Sequence, residues 1–209
     1  MYDRKVKSDY FMYTYKIEQA IKAASLLHQD QLRKGSIGIP YVTHLFAVML
    51  ILRDYTSDED TLVAALLHDT LEDTGYTPEE LRADFGDNVA KIVATVTEPQ
   101  KTEENNISWL EAKKAYIKQL RSGPIEAVMV SAADKSHNFR SIVDEYYDDH
   151  NGYLKDFGGN LDNKLEAYQN IANIINSRLT SGIVHEFNHT FEAYKKFIFD
   201  VKEKTNKPF

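Results

Sequence analysis

The chain has no cysteine among its 209 residues, which excludes disulfides and thiolate metal sites and fits a reducing, cytoplasmic compartment. No apolar stretch is long enough to cross a bilayer. The start, Met1-Tyr2-Asp3-Arg4-Lys5-Val6-Lys7-Ser8-Asp9-Tyr10, is basic but leads into polar and aromatic residues rather than a signal-peptide core, so export is not expected. Basic charge is in the minority, 25 Lys and Arg against 32 Asp and Glu, for a net charge of −7. That balance argues against nucleic acid or anionic membrane as a partner, and a polyanionic small molecule would have to be held by a local cation cluster plus a metal. Internal repeats, low-complexity tracts and alternating runs of strand length are also missing. With 43% hydrophobic residues, the chain is long enough to bury one good core, and it reads as one domain over residues 1–209.

What is present is helical periodicity. Apolar residues recur at spacings of three and four in Tyr15 to Leu32, Val42 to Leu52, Leu62 to Leu71, Val89 to Val96, Trp109 to Leu120, Ile125 to Val143, Leu161 to Leu179 and Phe187 to Val201, which predicts an all-α, bundle-like fold. Thr77-Pro78-Glu79-Glu80 and Ser108-Trp109-Leu110-Glu111 carry capping-box signals, and Gly123-Pro124 opens the next helix. Trp109 reads as a core anchor. The breaks at Lys34 to Pro40, Glu98 to Asn106 and Asp148 to Asn160 read as loops that could rim a pocket, and Met1 to Asp9 and Lys202 to Phe209 as fraying ends.

The chemistry concentrates in Leu66-Leu67-His68-Asp69-Thr70-Leu71-Glu72-Asp73-Thr74. On one continuous helix His68, Glu72, Asp69 and Asp73 would fall at about 0°, 40°, 100° and 140°, so four ionisable groups would share one edge. The run Leu62 to Leu67 before them is apolar enough to be buried, where acid and imidazole groups are costly unless ligated or paired. His44 upstream and Asp134 downstream complete a set of two imidazoles and two carboxylates, suited to a borderline-to-hard divalent ion such as Mn²⁺ or Fe²⁺. Taken alone, His44 reads more readily as a core histidine satisfied by one hydrogen bond, and it is the other three residues that favour ligation. Asp134 and Asn138 are four apart and share a helix face, so one can ligate while the other faces a substrate.

Set in order, these segments resemble the His-Asp (HD) phosphohydrolase superfamily, and within it the alarmone-hydrolase branch typified by the hydrolase domain of Rel/Spo proteins. The match is carried by Arg33-Lys34-Gly35 with Pro40-Tyr41-Val42-Thr43-His44, by His68 to Thr74, by Phe85-Gly86-Asp87-Asn88-Val89-Ala90 with Val96-Thr97, and by Ala133-Asp134-Lys135-Ser136-His137-Asn138. It spans roughly Tyr15 to Leu179, with a further helix near residues 187–204. Three departures stand out: a longer loop from Lys34 to Pro40, Lys135-Ser136 where the large bifunctional enzymes usually carry arginine and leucine, and Thr97-Glu98 in place of threonine-lysine. The resemblance implies a small, stand-alone hydrolase.

It further implies His44, His68, Asp69 and Asp134 as ligands of Mn²⁺, Fe²⁺ or Co²⁺, and Glu72 and Asp73 as the groups that orient or deprotonate an attacking water. Arg33, Lys34, Lys135 and Arg140 are the phosphate cations, with a solvated surface position as the alternative for each. Asn138 is a nucleotide contact, and Tyr41 and Tyr168 are either pocket walls or core packing. His28, His137, His150, His185 and His189 receive no role. The implied activity is removal of the 3′-pyrophosphate from guanosine tetra- or pentaphosphate, giving GDP or GTP and pyrophosphate. The alternatives are hydrolysis of another small nucleotide, including an adenosine alarmone, and a non-catalytic nucleotide-binding HD module.

Overall fold

A computed structural model describes residues 13–35, 38–99 and 107–205. Among the described residues there are eleven helices and no strand, only an isolated antiparallel bridge between Leu32 and Pro40. In chain order they are α1 (Tyr15–Leu27), α2 (Val42–Arg53), α3 (Glu59–Leu67), α4 (Thr70–Asp73), α5 (Pro78–Phe85), α6 (Asp87–Val96), α7 (Trp109–Ser122), α8 (Ile125–Tyr146), α9 (His150–Phe157), α10 (Leu161–Arg178) and α11 (Ile183–Thr205). None of them is long and apolar enough to cross a membrane.

The unbroken apolar run has a plain cause. Every residue of α3 from Thr61 to Leu67 is buried, because α1, α2, α6 and α8 pack around it. Each fully buried leucine or valine there contributes roughly 1.5–3 kcal/mol. The 22-residue α8 runs alongside, against α2, α3, α6, α10 and α11. Both capping boxes form as the sequence predicts, with Thr77 and Glu80 opening α5 and Ser108 and Glu111 opening α7.

Four expectations need correction. The helix drawn through Leu62 to Leu71 breaks at His68 and Asp69 into α3 and α4. Side chains take the carbonyls that would carry the helix onward, His68 Nδ1 bonding Ala65 O at 2.8 Å and Thr70 Oγ1 bonding Leu67 O at 2.6 Å, a local competition with the backbone ladder. The helix from Tyr15 ends at Leu27 rather than Leu32. The glycine-bearing stretch from Asp148 contains α9, whose third residue Gly152 donates to the Asp149 cap at 2.8 Å. A Cβ on Gly152 would sit 2.2 Å from that carboxylate, so the glycine serves the helix start. Finally, Trp109 is 42% exposed, and as the first residue of α7 it covers the Lys113 ammonium at 5.5 Å. Residues 100–106 of the loop expected from Glu98 to Asn106, the expected fraying end Met1 to Asp9, and residues 206–209 of the other lie outside the described residues, while α11 continues through Lys202 to Thr205.

Candidate metal centre and adjoining cavity

Three elements deliver the expected ligand set to one point. His44 comes from the first turn of α2, His68 and Asp69 from the junction of α3 and α4, and Asp134 from the middle of α8. His44 Nε2 lies 3.2 Å from Asp134 Oδ1 and 3.7 Å from Asp69 Oδ2, and His68 Nε2 lies 3.6 Å and 3.2 Å from the same two oxygens. Donors ~2.1 Å from a common divalent ion stand ~3.0–3.4 Å apart at octahedral to tetrahedral angles, so the spacing fits one ion. His44, His68 and Asp134 are buried and form a group that could hold a metal. His68 Nε2 is a buried nitrogen with no hydrogen-bond partner. It is near both carboxylates but aligned with neither, while its Nδ1 is committed to Ala65 O. That is the tautomer a ligating imidazole needs. The donor set therefore fits a divalent metal.

Electrostatics follow the same geometry. Burial pushes His68 down, but Asp69 and Asp134 outweigh it and hold the imidazole well above its usual range. Burial likewise opposes ionisation of Asp69 and Asp134, yet His68 and His44 beside the first, and Lys135 with both histidines beside the second, hold both carboxyls low. Burial dominates at His44 and lowers it.

A second ring of residues fixes the ligands. With Nε2 ligating, His44 carries its proton on Nδ1 and donates it to His137 Nδ1, 2.9 Å away. His137 is held down to about 3 by burial, then by His44 and Arg33, so it is a neutral acceptor. Tyr41 donates to Asp69 Oδ2 at 2.6 Å, and its ring is stacked on buried His28 at 5.3 Å. Lys135 holds Asp134 Oδ2 at 2.7 Å. Asn138 donates to Asp134 Oδ1 at 2.5 Å and accepts from Arg33 at 3.0 Å, which ties the 28–35 loop to α8. Sequence reasoning missed His137 and His28. The signal for His137 was its place three residues after Asp134, which puts both on one face of α8.

Glu72 and Asp73 project from α4. Glu72 Oε2 accepts from Glu98 N at 3.0 Å. Burial raises Glu72 to about 7, the Glu98 N–H opposing and the Glu98 charge adding. Asp73 is also raised, by burial and then by Asp69.

A cavity of about 540 Å³ borders the centre, and its lining includes Arg33, Lys34, Tyr41, Asp73, Lys135, Asn138 and Tyr168. Six of the seven expected substrate-contact residues, together with Asp73, thus face one space. Arg140 does not join them. It pairs with Glu186 of α11 because two residues beyond Asn138 is the opposite face of α8. Lys164 of α10, which the sequence did not single out, is on the wall instead.

A family model described as an HD domain matches residues 20–154. The chain is 39% identical over 126 residues to a probable GTP pyrophosphokinase of Mycobacterium leprae, covering 60% of this chain and 16% of that protein. It is 36% identical over 121 residues to a guanosine-3′,5′-bis(diphosphate) 3′-pyrophosphohydrolase of Haemophilus influenzae, covering 55% and 17%. To the bifunctional (p)ppGpp synthase/hydrolase SpoT of Escherichia coli K12 it is 34% identical over 133 residues, covering 61% and 18%. The chain spans less than a fifth of the length of these relatives. A metazoan ortholog of SpoT, described as hydrolysing ppGpp, shares the fold with a TM-score of 0.68 and 24% identity over 87% of this chain and 96% of that one. A crystal structure from Listeria monocytogenes EGD-e matches with a TM-score of 0.59 and 32% identity over 78% and 97%.

Proposed function

This chain belongs to the HD domain family, and on that premise we propose that it is a metal-dependent phosphohydrolase that removes the 3′-pyrophosphate from guanosine 3′,5′-bis(diphosphate) or its pentaphosphate. The observation that carries the reading is the convergence of two histidine Nε2 atoms and two carboxylate oxygens within 3.2–3.7 Å, with Glu72 and Asp73 on the short helix that follows and Asp73 on the wall of a cavity of nucleotide size. His44, His68, Asp69 and Asp134 would hold Mn²⁺, or Fe²⁺ or Co²⁺ in its place. When bound, such an ion supplies Lewis acidity toward a phosphoryl oxygen and acidifies water.

The protein's own groups do the rest. Glu98 N–H holds Glu72 Oε2, which leaves Oε1 to take a proton from the attacking water. Water adds to the phosphorus on the ribose 3′ oxygen, that O–P bond breaks, and the proton ends on the 3′ hydroxyl. Arg33 and Lys135 stand at the cavity wall to offset charge on the transferring group. Asp73, raised like Glu72, orients the water. Relatives named for guanosine-3′,5′-bis(diphosphate) hydrolysis support this substrate.

The purified chain, given Mn²⁺ and guanosine 3′,5′-bis(diphosphate), should release pyrophosphate and GDP in equal amounts. Orthophosphate as the sole phosphate product would make it a phosphatase of another kind, and no turnover with Mn²⁺, Fe²⁺, Co²⁺ or Mg²⁺ would overturn the reading.

A further inference from the structure

We propose that His28 and Gln31 are positioning residues for the reaction: through Tyr41 and the end of α4 they set where Asp73 stands. The proposal rests on the hydrolase reading above, in which Asp73 orients the attacking water. Gln31 Nε2 lies 2.7 Å from the Asp73 carbonyl, which can only accept, so that end of the amide is the donor. Gln31 Oε1 is then an acceptor, and His28 Nδ1, 2.7 Å from it, must carry the ring proton. His28 Nε2 is buried without a hydrogen-bond partner, where a second proton would be a buried charge with nothing to meet it.

This pair grips Asp73 at both ends. The Asp73 backbone is held by the Gln31 amide, at the last residue of a helix only four residues long. Its carboxyl shares the Tyr41 hydroxyl with Asp69, and Tyr41 is placed by the same two residues. The Tyr41 ring is stacked on His28 at 5.3 Å, with 21° between the planes, and the Tyr41 N–H donates to the Gln31 carbonyl at 2.8 Å. Packing alone does not account for the imidazole. His28 is 1% exposed, and a buried nitrogen without a partner costs stability, so a phenyl ring would fill the position and stack on Tyr41 at lower cost. What the imidazole supplies and a phenyl cannot is the Nδ1 proton that keeps the Gln31 amide turned with its donor toward Asp73.

The test compares the full Mn²⁺-loaded chain with His28→Phe, Gln31→Met and the double variant. His28→Phe should unfold in urea at the parent midpoint or above it, keep its metal content and KM, and lose about 10-fold in kcat, the low end of what partners one bond removed from a site contribute. Gln31→Met, at a half-buried position where folding is not at stake, should show the same split. The double variant should be no slower than Gln31→Met, because the imidazole acts through that amide. Parent kcat in either single variant, or a rate that falls only in step with metal content or stability, would reduce the pair to packing and overturn the proposal, as would losses that multiply in the double variant. A second readout needs no turnover. ¹⁵N NMR of the metal-free, histidine-labelled chain should show His28, identified by the signal missing from His28→Phe, protonated on Nδ1 and bare on Nε2, and the reverse tautomer would also overturn the proposal. Failure of the hydrolase reading looks different: the parent chain itself releases no pyrophosphate, while His28 keeps its Nδ1 proton.

Discussion

Glu72 and Asp73 illustrate how burial decides chemistry at a single residue. A carboxylate at its ordinary acidity is a poor base near neutrality, and burial lifts Glu72 to about 7. As the proposed base, Glu72 must be ionised to act, so protonation below that value removes it. We expect kcat/KM to rise about tenfold per pH unit up to ~7 and then level off. Glu72→Gln should cut turnover by about 10²–10⁴-fold while sparing metal content, and should remove that limb of the profile. Asp73→Asn, whose parent side chain shares Tyr41 with the metal set, should lower turnover less steeply. Metal analysis with single-turnover rates over pH 5–9 checks both. Metal loss in step with rate would make these acids ligands, and an unchanged profile in Glu72→Gln would place the base elsewhere. The four side chains that converge here could be picked out in the sequence because two histidines and two acids interrupt otherwise apolar helices. His137 could not, since a histidine inside an α8 motif does not reveal which imidazole it faces.

At the scale of elements, the sequence was reliable about amphipathic helices and weak wherever a side chain replaced a backbone partner. Periodicity carried through His68 and Asp69 because Leu71 continues the apolar spacing, while the capture of Ala65 O and Leu67 O by side chains leaves no trace in hydropathy. Lys113 is the other blind spot. A lysine on α7 reads as solvent-facing, yet it is only 7% exposed and pairs with Glu98, while Gln119 of the same helix bonds Thr97 O at 3.4 Å. α7 thus fixes the 97–98 segment whose N–H holds Glu72. Glu98 is one of the departures from the Rel/Spo pattern, and the opposite charge it needs comes from α7. Removing one partner of a buried pair costs about 3 kcal/mol or more. Lys113→Met should therefore lose about that much stability in urea unfolding and slow turnover more than it weakens substrate binding. Adding Glu98→Gln should restore most of the stability. If the double variant is no more stable than the single, the pair is not what holds the segment.

For the whole molecule, an ion held by His44, His68, Asp69 and Asp134 would also be a cross-link. These residues come from α2, the α3–α4 junction and, far along the chain, α8, which pack side by side around the core. An ion that binds only the folded chain adds about 2.7 kcal/mol at one hundred times its Kd. For a chain of this size that is a rise in Tm of ~5–10 °C. The effect has a defined pH dependence. His68 must be neutral to ligate, but Asp69 and Asp134 hold it well above its usual range, so loading displaces a proton and each unit of falling pH weakens metal affinity. The Mn²⁺-induced rise in Tm should therefore be largest at mildly alkaline pH and shrink toward pH 5. Proton release on titration with Mn²⁺ should accompany it in weakly buffered solution. His68→Ala should abolish both, because the remaining imidazole and carboxylates no longer surround the ion. A Tm that ignores Mn²⁺ at pH 8 in the parent chain, or a rise that survives in His68→Ala, would mean that the ion sits somewhere other than the point where these three elements meet.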